Sequence, residues 1–251
     1  MNSPEIRIEI MKKPKDYLIF PLDVSTYEDA IRYVDLLKEH VGFFKVGLEL
    51  FVSVGPRILE AIRDRSEAGI FLDLKFHDIP ATVKGAFLAA SDYGVQFTTV
   101  HCDEGKRLLR SVVENNPSGT KILAVTVLTS LDSSDVQELG YQEQYVSDMT
   151  KLVLLRARMA KEAGCSGVVC SGWEVESVKR DLGRDFIVVT PGIRPAWSVK
   201  GADDQKRIVT PFEAVKRGAD HIVVGRPIRA AEKPHEAAQK VLEEIEEAIS
   251  G

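Results

Sequence analysis

Two hydrophobic periods take turns along this chain. Short runs rich in Val, Ile and Phe cover 17–23, 43–47, 70–75, 97–101, 121–128, 167–170, 186–191 and 221–225. Each is followed by a longer stretch whose apolar positions recur at helical spacing: 26–40, about 48–66, 81–93, 104–115, a long one ending at Ala163, 175–182, a short one ending at Lys216, and 234–249. The first kind reads as strands and the second as helices. Strand–helix alternation predicts βαβ units and a parallel sheet. Eight such units in 251 residues predict a closed (β/α)8 TIM barrel, of class α/β. No Gly- or Ser-rich linker divides the chain, so it reads as a single domain over 1–251, with 1–16 as an N-terminal extension. The alternative is an open doubly wound sheet, but its G-x-G-x-x-G fingerprint is missing after the first strand. The polar segment Asp132–Gly140 fits no strand–helix unit.

In barrels the chemistry sits at the C-terminal ends of the strands. Those ends carry Asp23, Lys45, Asp73, Lys75, His101, Thr129, Ser130, Pro191 and Arg226. Strand parity sharpens the picture, because alternate residues face one side. Phe71, Asp73 and Lys75 share a face of the third strand, as do Phe43, Lys45 and Gly47 on the second. Lys45 therefore approaches Asp73 and Lys75 at the barrel mouth, and Asp78 follows on the loop. A buried charge is costly unless paired. Such a cluster is either an ion-pair network closing the barrel or a reactive site, and charge alone leaves both open.

Composition narrows the function classes. Hydrophobic residues make up 44% and charged residues 28%, with net charge −5 and no long basic block. This disfavours nucleic acid as a partner while allowing a small anionic ligand. Cys102, Cys165 and Cys170 lack metal-ligand spacing and read as reduced core thiols, so no metal is expected. No apolar run is long enough to span a membrane. The polar stretch Met1–Asp16 lacks the apolar core of a signal peptide, and a cytoplasmic location is expected. Trp173 and Trp197 read as packing residues. Asp203, Asp204 and the Glu-rich stretch 243–247 read as solvated helix faces. His77 has the opposite parity to Lys75 and is expected to face outward or toward a partner. His101 is expected to line the mouth.

The set Asp73-x-Lys75-x-x-Asp78-Ile79-Pro80, with Lys45 in Lys-Val-Gly-Leu-Glu, resembles the orotidine 5′-monophosphate (OMP) decarboxylase family. The resemblance continues through Leu22-Asp23, Leu128-Thr129-Ser130, Thr190–Pro195, Asp204–Arg207 and Val224–Ile228, in the family's order. It implies decarboxylation of OMP to uridine 5′-monophosphate (UMP), with no cofactor and OMP as the small-molecule partner. It implies that Lys75 stabilises a C6 carbanion and protonates it, that Asp73 sits beside the substrate carboxylate, and that Lys45 holds Asp73 and the ribose. Asp23 would bind ribose and Ser130 the pyrimidine amide edge. Pro191 would contact the substrate, while Gln205, Gly225 and Arg226 would hold the phosphate end, under a lid spanning 191–205. It further implies a homodimer in which Asp78 and Thr82 complete the neighbouring subunit's site.

Other readings remain in view. D-x-K-x-x-D also occurs in Mg2+-dependent relatives, the 3-keto-L-gulonate 6-phosphate decarboxylases and hexulose-phosphate synthases. In these a carboxylate stands where this chain has Lys45. A phosphosugar epimerase would need an acid/base pair around a carbon acid, which two lysines serve poorly. A Schiff-base role for Lys75 is disfavoured by its flanking carboxylates, which favour the ammonium form. A non-catalytic phosphoribosyl-binding barrel is the remaining option.

Overall fold

The structure, a computed structural model, describes residues 12–198 and 209–251. Gln205, Asp203 and Asp204 lie outside these residues, as do most of the extension and the later part of the 191–205 loop. The expected barrel is observed. Parallel strands β1 (Leu18–Pro21), β2 (Phe43–Gly47), β3 (Gly69–Phe76), β4 (Phe97–His101), β5 (Lys121–Val125), β6 (Gly167–Val169), β7 (Ile187–Thr190) and β8 (His221–Val223) close in sequential order, β8 pairing back to β1.

Short helix α1 (Pro14–Tyr17) precedes β1, and α2 (Tyr27–Leu37) follows it, capped by Thr26 accepting from Asp29 N. After β2 the single helix expected over 48–66 is two, α3 (Leu48–Val54) and α4 (Arg57–Arg65). They part at Gly55, whose φ of 76° only glycine adopts readily, and at Pro56, which lacks a donor. Next come α5 (Pro80–Ser91) after β3 and α6 (Lys106–Val113) after β4. The unassigned polar segment holds α7 (Ser133–Glu138). Its start is a reciprocal capping box, with Asp132 accepting from the Asp135 backbone and Asp135 accepting from the Asp132 backbone. Periodicity overlooked it because one turn and a half buries only Val136.

Helices α8 (Glu143–Val146) and α9 (Met149–Glu162) follow, then α10 (Val175–Leu182) after β6, α11 (Pro211–Lys216) after β7, and α12 (Arg226–Arg229) and α13 (Pro234–Ser250) after β8. Among the described residues no helix is long and apolar enough to cross a membrane.

Alternation along each strand builds two apolar layers. Ile19, Phe71, Phe97, Leu123, Val189 and Val223 fill the barrel interior. Leu18, Phe20, Phe44, Val46, Leu72 and Val188 face the helices in the larger core. Each fully buried Leu or Phe contributes about 1.5–3 kcal/mol by leaving water. The three cysteines are buried and free. Burial pushes their thiols up, Cys165 to about 12, so they are packing groups as expected.

Candidate active site

β3 departs from a regular strand where the chemistry begins. Leu72 pairs with Thr98 and Phe76 with Val100, so the register shifts between them. Lys75 lies in this bulge with φ 50°, the left-handed region. For a residue with a side chain this costs roughly 1–2 kcal/mol. Its backbone N–H donates to Thr99 Oγ1 at 2.9 Å. The bulge turns Lys75 back over the barrel mouth, where Nζ meets Asp73 Oδ2 at 2.8 Å.

The same carboxylate oxygen takes a second ammonium, Lys45 Nζ at 3.6 Å. Lys45 also reaches Asp23 Oδ1 at 3.2 Å. Thr99 donates its hydroxyl to Asp73 Oδ1 at 2.9 Å. Asp73 is only 8% exposed. Burial alone would raise its carboxyl pKa, but the Lys45 and Lys75 charges and the hydrogen bonds from Lys75 and Thr99 outweigh it and hold the group below the usual range. Asp73 is therefore a fixed anion between two cations. Strand parity predicted this meeting correctly. It did not predict Thr99, whose signal was a polar residue at an inward position of β4, in register with Phe97.

The charged groups, without Thr99, line a cavity of about 350 Å3, a size suited to a small ligand. Asp23, Lys45, Asp73 and Lys75 line it together with Pro191, Gly192, Gly225 and Arg226. A side chain at Gly225 would put its Cβ 2.8 Å from Pro21 Cγ, so only glycine lets β8 and β1 come this close. Arg226 is exposed at the start of α12. From the same helix Arg229 donates to the Asp23 backbone carbonyl, a support that no local pattern signals. Ser130 lines a second, larger hollow next door, and Thr129, Pro191 and Gly192 border both.

Asp78 and Thr82 line neither hollow. Both are exposed, and Asp78 Oδ1 accepts only from Ile79 N at 2.6 Å among the described residues. His77 is on the surface as expected, yet it is engaged. Its Nε2 pairs with Glu104 and its ring stacks on His101, centroids 5.0 Å apart. Three expectations need correcting. Trp173 and Trp197 are 47% and 39% exposed, each lying under a cation, Arg217 and Lys240. Glu244 is half-buried and bonded to Trp197, and burial raises its carboxyl pKa. A wide indole with one polar atom serves a helix–loop contact as readily as a core.

A family profile described as orotidine 5′-phosphate decarboxylase / HUMPS matches residues 16–241. The chain belongs to this family. Among relatives of the family, an orotidine 5′-phosphate decarboxylase of Desulfosudis oleivorans is 49% identical, covering 95% of this chain and 96% of its own. One from Gloeothece citriformis is 47% identical over 92% of this chain and 98% of its own. A crystal structure of orotidine 5′-phosphate decarboxylase from Lactobacillus acidophilus superposes with a TM-score of 0.78 at 36% identity, covering 91% of this chain and 98% of that one. By the names of these relatives, the chain sits among carboxy-lyases of the orotidine 5′-phosphate decarboxylase / HUMPS family.

Proposed function

We propose that this chain decarboxylates orotidine 5′-monophosphate to UMP, the closing step of pyrimidine nucleotide synthesis, and does so without a cofactor. The observation that carries the reading is Asp73 Oδ2 held by two ammonium groups, Lys75 at 2.8 Å and Lys45 at 3.6 Å, beside a cavity also lined by Gly225 and Arg226.

The substrate carboxylate lies against Asp73, and Lys75 lies against C6. The C6–carboxylate bond breaks, CO2 leaves, and its electron pair stays on C6 in an orbital with little resonance relief. The Lys75 ammonium stabilises that charge and then delivers its proton to C6, and solvent returns the proton. Fixed charges aimed at charge that grows during the reaction are the strongest catalytic device available without an electron sink. Asp73 keeps Lys75 protonated and in place, while its own charge repels the substrate carboxylate until CO2 departs. Lys45 and Asp23 bind the ribose hydroxyls, and Ser130 reads the amide edge of the pyrimidine. Gln205, Gly225 and Arg226 bind the phosphate, for which the Arg226 guanidinium has the matching fork, and Pro191 lines the substrate site.

The working unit in this reading is a homodimer, with Asp78 and Thr82 completing the neighbour's site. Three exposed apolar side chains support a partnered surface on this rim: Leu48 at 54% and Val52 at 82% on α3, and Ile79 at 66% beside Asp78. The family description also spans Mg2+-dependent members. Lys45 and Lys75 already supply two positive charges to Asp73, which disfavours a divalent cation there.

The test is loss of OMP absorbance in metal-free buffer containing EDTA. Full turnover is expected. Activity that disappears with the chelator and returns with Mg2+ overturns the cofactor-free reading, and binding without turnover overturns the enzyme reading.

A further inference from the structure

In the turn from Lys75 to Asp78, Phe76 packs against the larger core, and among the described residues His77 is the polar side chain that ties the turn to another loop. Lys75 is anchored through its backbone to Thr99, and Phe76 is in register with Val100 in the sheet. Asp78 bonds only within its own turn, among the described residues. Between them His77 reaches across to the loop after β4. Its Nε2 pairs with Glu104 Oε1, and its ring lies nearly parallel to that of His101, 29° apart at 5.0 Å. The other Glu104 carboxylate oxygen is buried with no hydrogen bond among the described residues, so His77 is the visible partner of a half-buried acid.

The second histidine stands beside an acid. His101 Nδ1 faces Asp103 Oδ2 at 3.1 Å. Asp103 pairs with Arg156 of α9. Arg156 donates to the Thr126 carbonyl just past β5 and to the Tyr141 hydroxyl. The chain of contacts thus runs from the Asp78 turn, through two stacked rings and an ion pair, to the strand end that leads into Thr129 and Ser130. None of these five groups touches the cavity beside Lys75.

We propose that His77 is a positioning residue: through Glu104 and the His101 ring it fixes the turn that carries Asp78, and so sets where that carboxylate is presented. The inference rests on the reading that Asp78 completes a neighbouring subunit's site. Misplacing a charged group by about 1 Å costs up to a hundredfold in rate, so a half-exposed histidine can matter to turnover while adding little to stability.

The experiment compares His77→Ala, His77→Gln and Glu104→Ala in the full chain, by kcat, KM and thermal midpoint. His77→Ala is expected to lower kcat about tenfold or more, with the midpoint nearly unmoved. His77→Gln, whose amide can still donate to Glu104, is expected to recover most of the loss. His77→Ala combined with Glu104→Ala should be no worse than the more damaging single change. Wild-type turnover in His77→Ala overturns the proposal, and so does a loss that Gln does not repair and that tracks a falling midpoint.

Mixed dimers separate this proposal from the reading beneath it. Mixing His77→Ala with Lys75→Ala subunits gives a hybrid whose one site with Lys75 receives Asp78 from a turn with intact His77. That site should run at the wild-type rate. If it stays impaired while Asp78→Asn and Lys75→Ala subunits complement each other, His77 serves its own subunit's Lys75 and the proposal is wrong. If neither mixture recovers despite verified subunit exchange, the shared-site reading fails. The proposal, reduced to the turn itself, then stands or falls on repair by Gln.

Discussion

The two ends of this barrel are built from the same residue types and do opposite things with them. At the floor, Lys179 Nζ reaches Asp220 Oδ2 at 2.6 Å and donates to the carbonyls of Arg184 and Phe186, both at 2.8 Å. Asp220 Oδ2 also accepts from Val188 N at 2.7 Å. Beside them His221 is buried between the rings of Phe43 and Phe97, with Nδ1 at 2.9 Å from the Asp16 carbonyl. Lys179 and Asp220 are each also answered by backbone, and neither lines the two cavities at the mouth. At the mouth, Lys45 and Lys75 share Asp73, Lys45 also reaches Asp23, and all four line the cavity. Lys75 is held in a strained backbone, and the Lys45 ammonium lies 3.1 Å from where a Cβ at Gly47 would stand. A polar network that is complete rigidifies a fold, whereas one left partly unpaired beside a cavity is prepared for a ligand.

Substitutions at the two ends should therefore separate activity from stability. The largest effect is expected from Lys75→Ala, which should cut kcat by more than about a thousandfold while nucleotide binding, followed by titration calorimetry, persists. Near-normal turnover would falsify the assignment of Lys75. Next comes Arg226→Ala, where loss of a charged phosphate contact of about 1.5–3 kcal/mol should raise KM for OMP by roughly ten- to a hundredfold. An unchanged KM, with kcat alone reduced, would move the phosphate elsewhere.

At the floor the ranking reverses. Asp220→Ala leaves Lys179 and the Val188 N–H short of a partner and should cost about 1–3 kcal/mol of unfolding free energy in urea. Per folded molecule, kcat should not change. A large kcat effect with little destabilisation would erase the contrast between the ends.

The smallest effect is a pH dependence. Burial, the nearby Lys12 and other lysines push His221 down to about 3, only partly offset by its bond to Asp16. The fold thus binds fewer protons than the unfolded chain between about 3 and the ordinary histidine pKa of about 6.5. Stability is therefore full above about 6.5 and falls as pH drops through that window, by at most about 1.4 kcal/mol per unit. His40 is lowered by burial as well and adds in the same direction. Urea midpoints from pH 7 to 4.5 should fall more gently in His221→Phe than in the wild type. Parallel curves would remove His221 from the account.

Much of this protein was determined by the sequence alone, because periodicity is a local property. Eight alternations of period two and period 3.6 imply a barrel, and parity within β2 and β3 brings Lys45, Asp73 and Lys75 to one place. Those inferences need only the pleat and the strand order. Tertiary structure decided the rest, for reasons no local pattern carries. The bulge that inverts Lys75 arises from how β3 registers against β4, and Thr99 gains its role only through that register. Arg229 meets the Asp23 carbonyl, and His77 meets Glu104, across 206 and 27 positions of chain. Trp173 and Trp197 meet cations brought from the end of α11 and from α13, contacts that the residues beside them in sequence do not signal. Charge and period say which groups must be satisfied. Only the packed fold decides which of them remain free to meet a substrate.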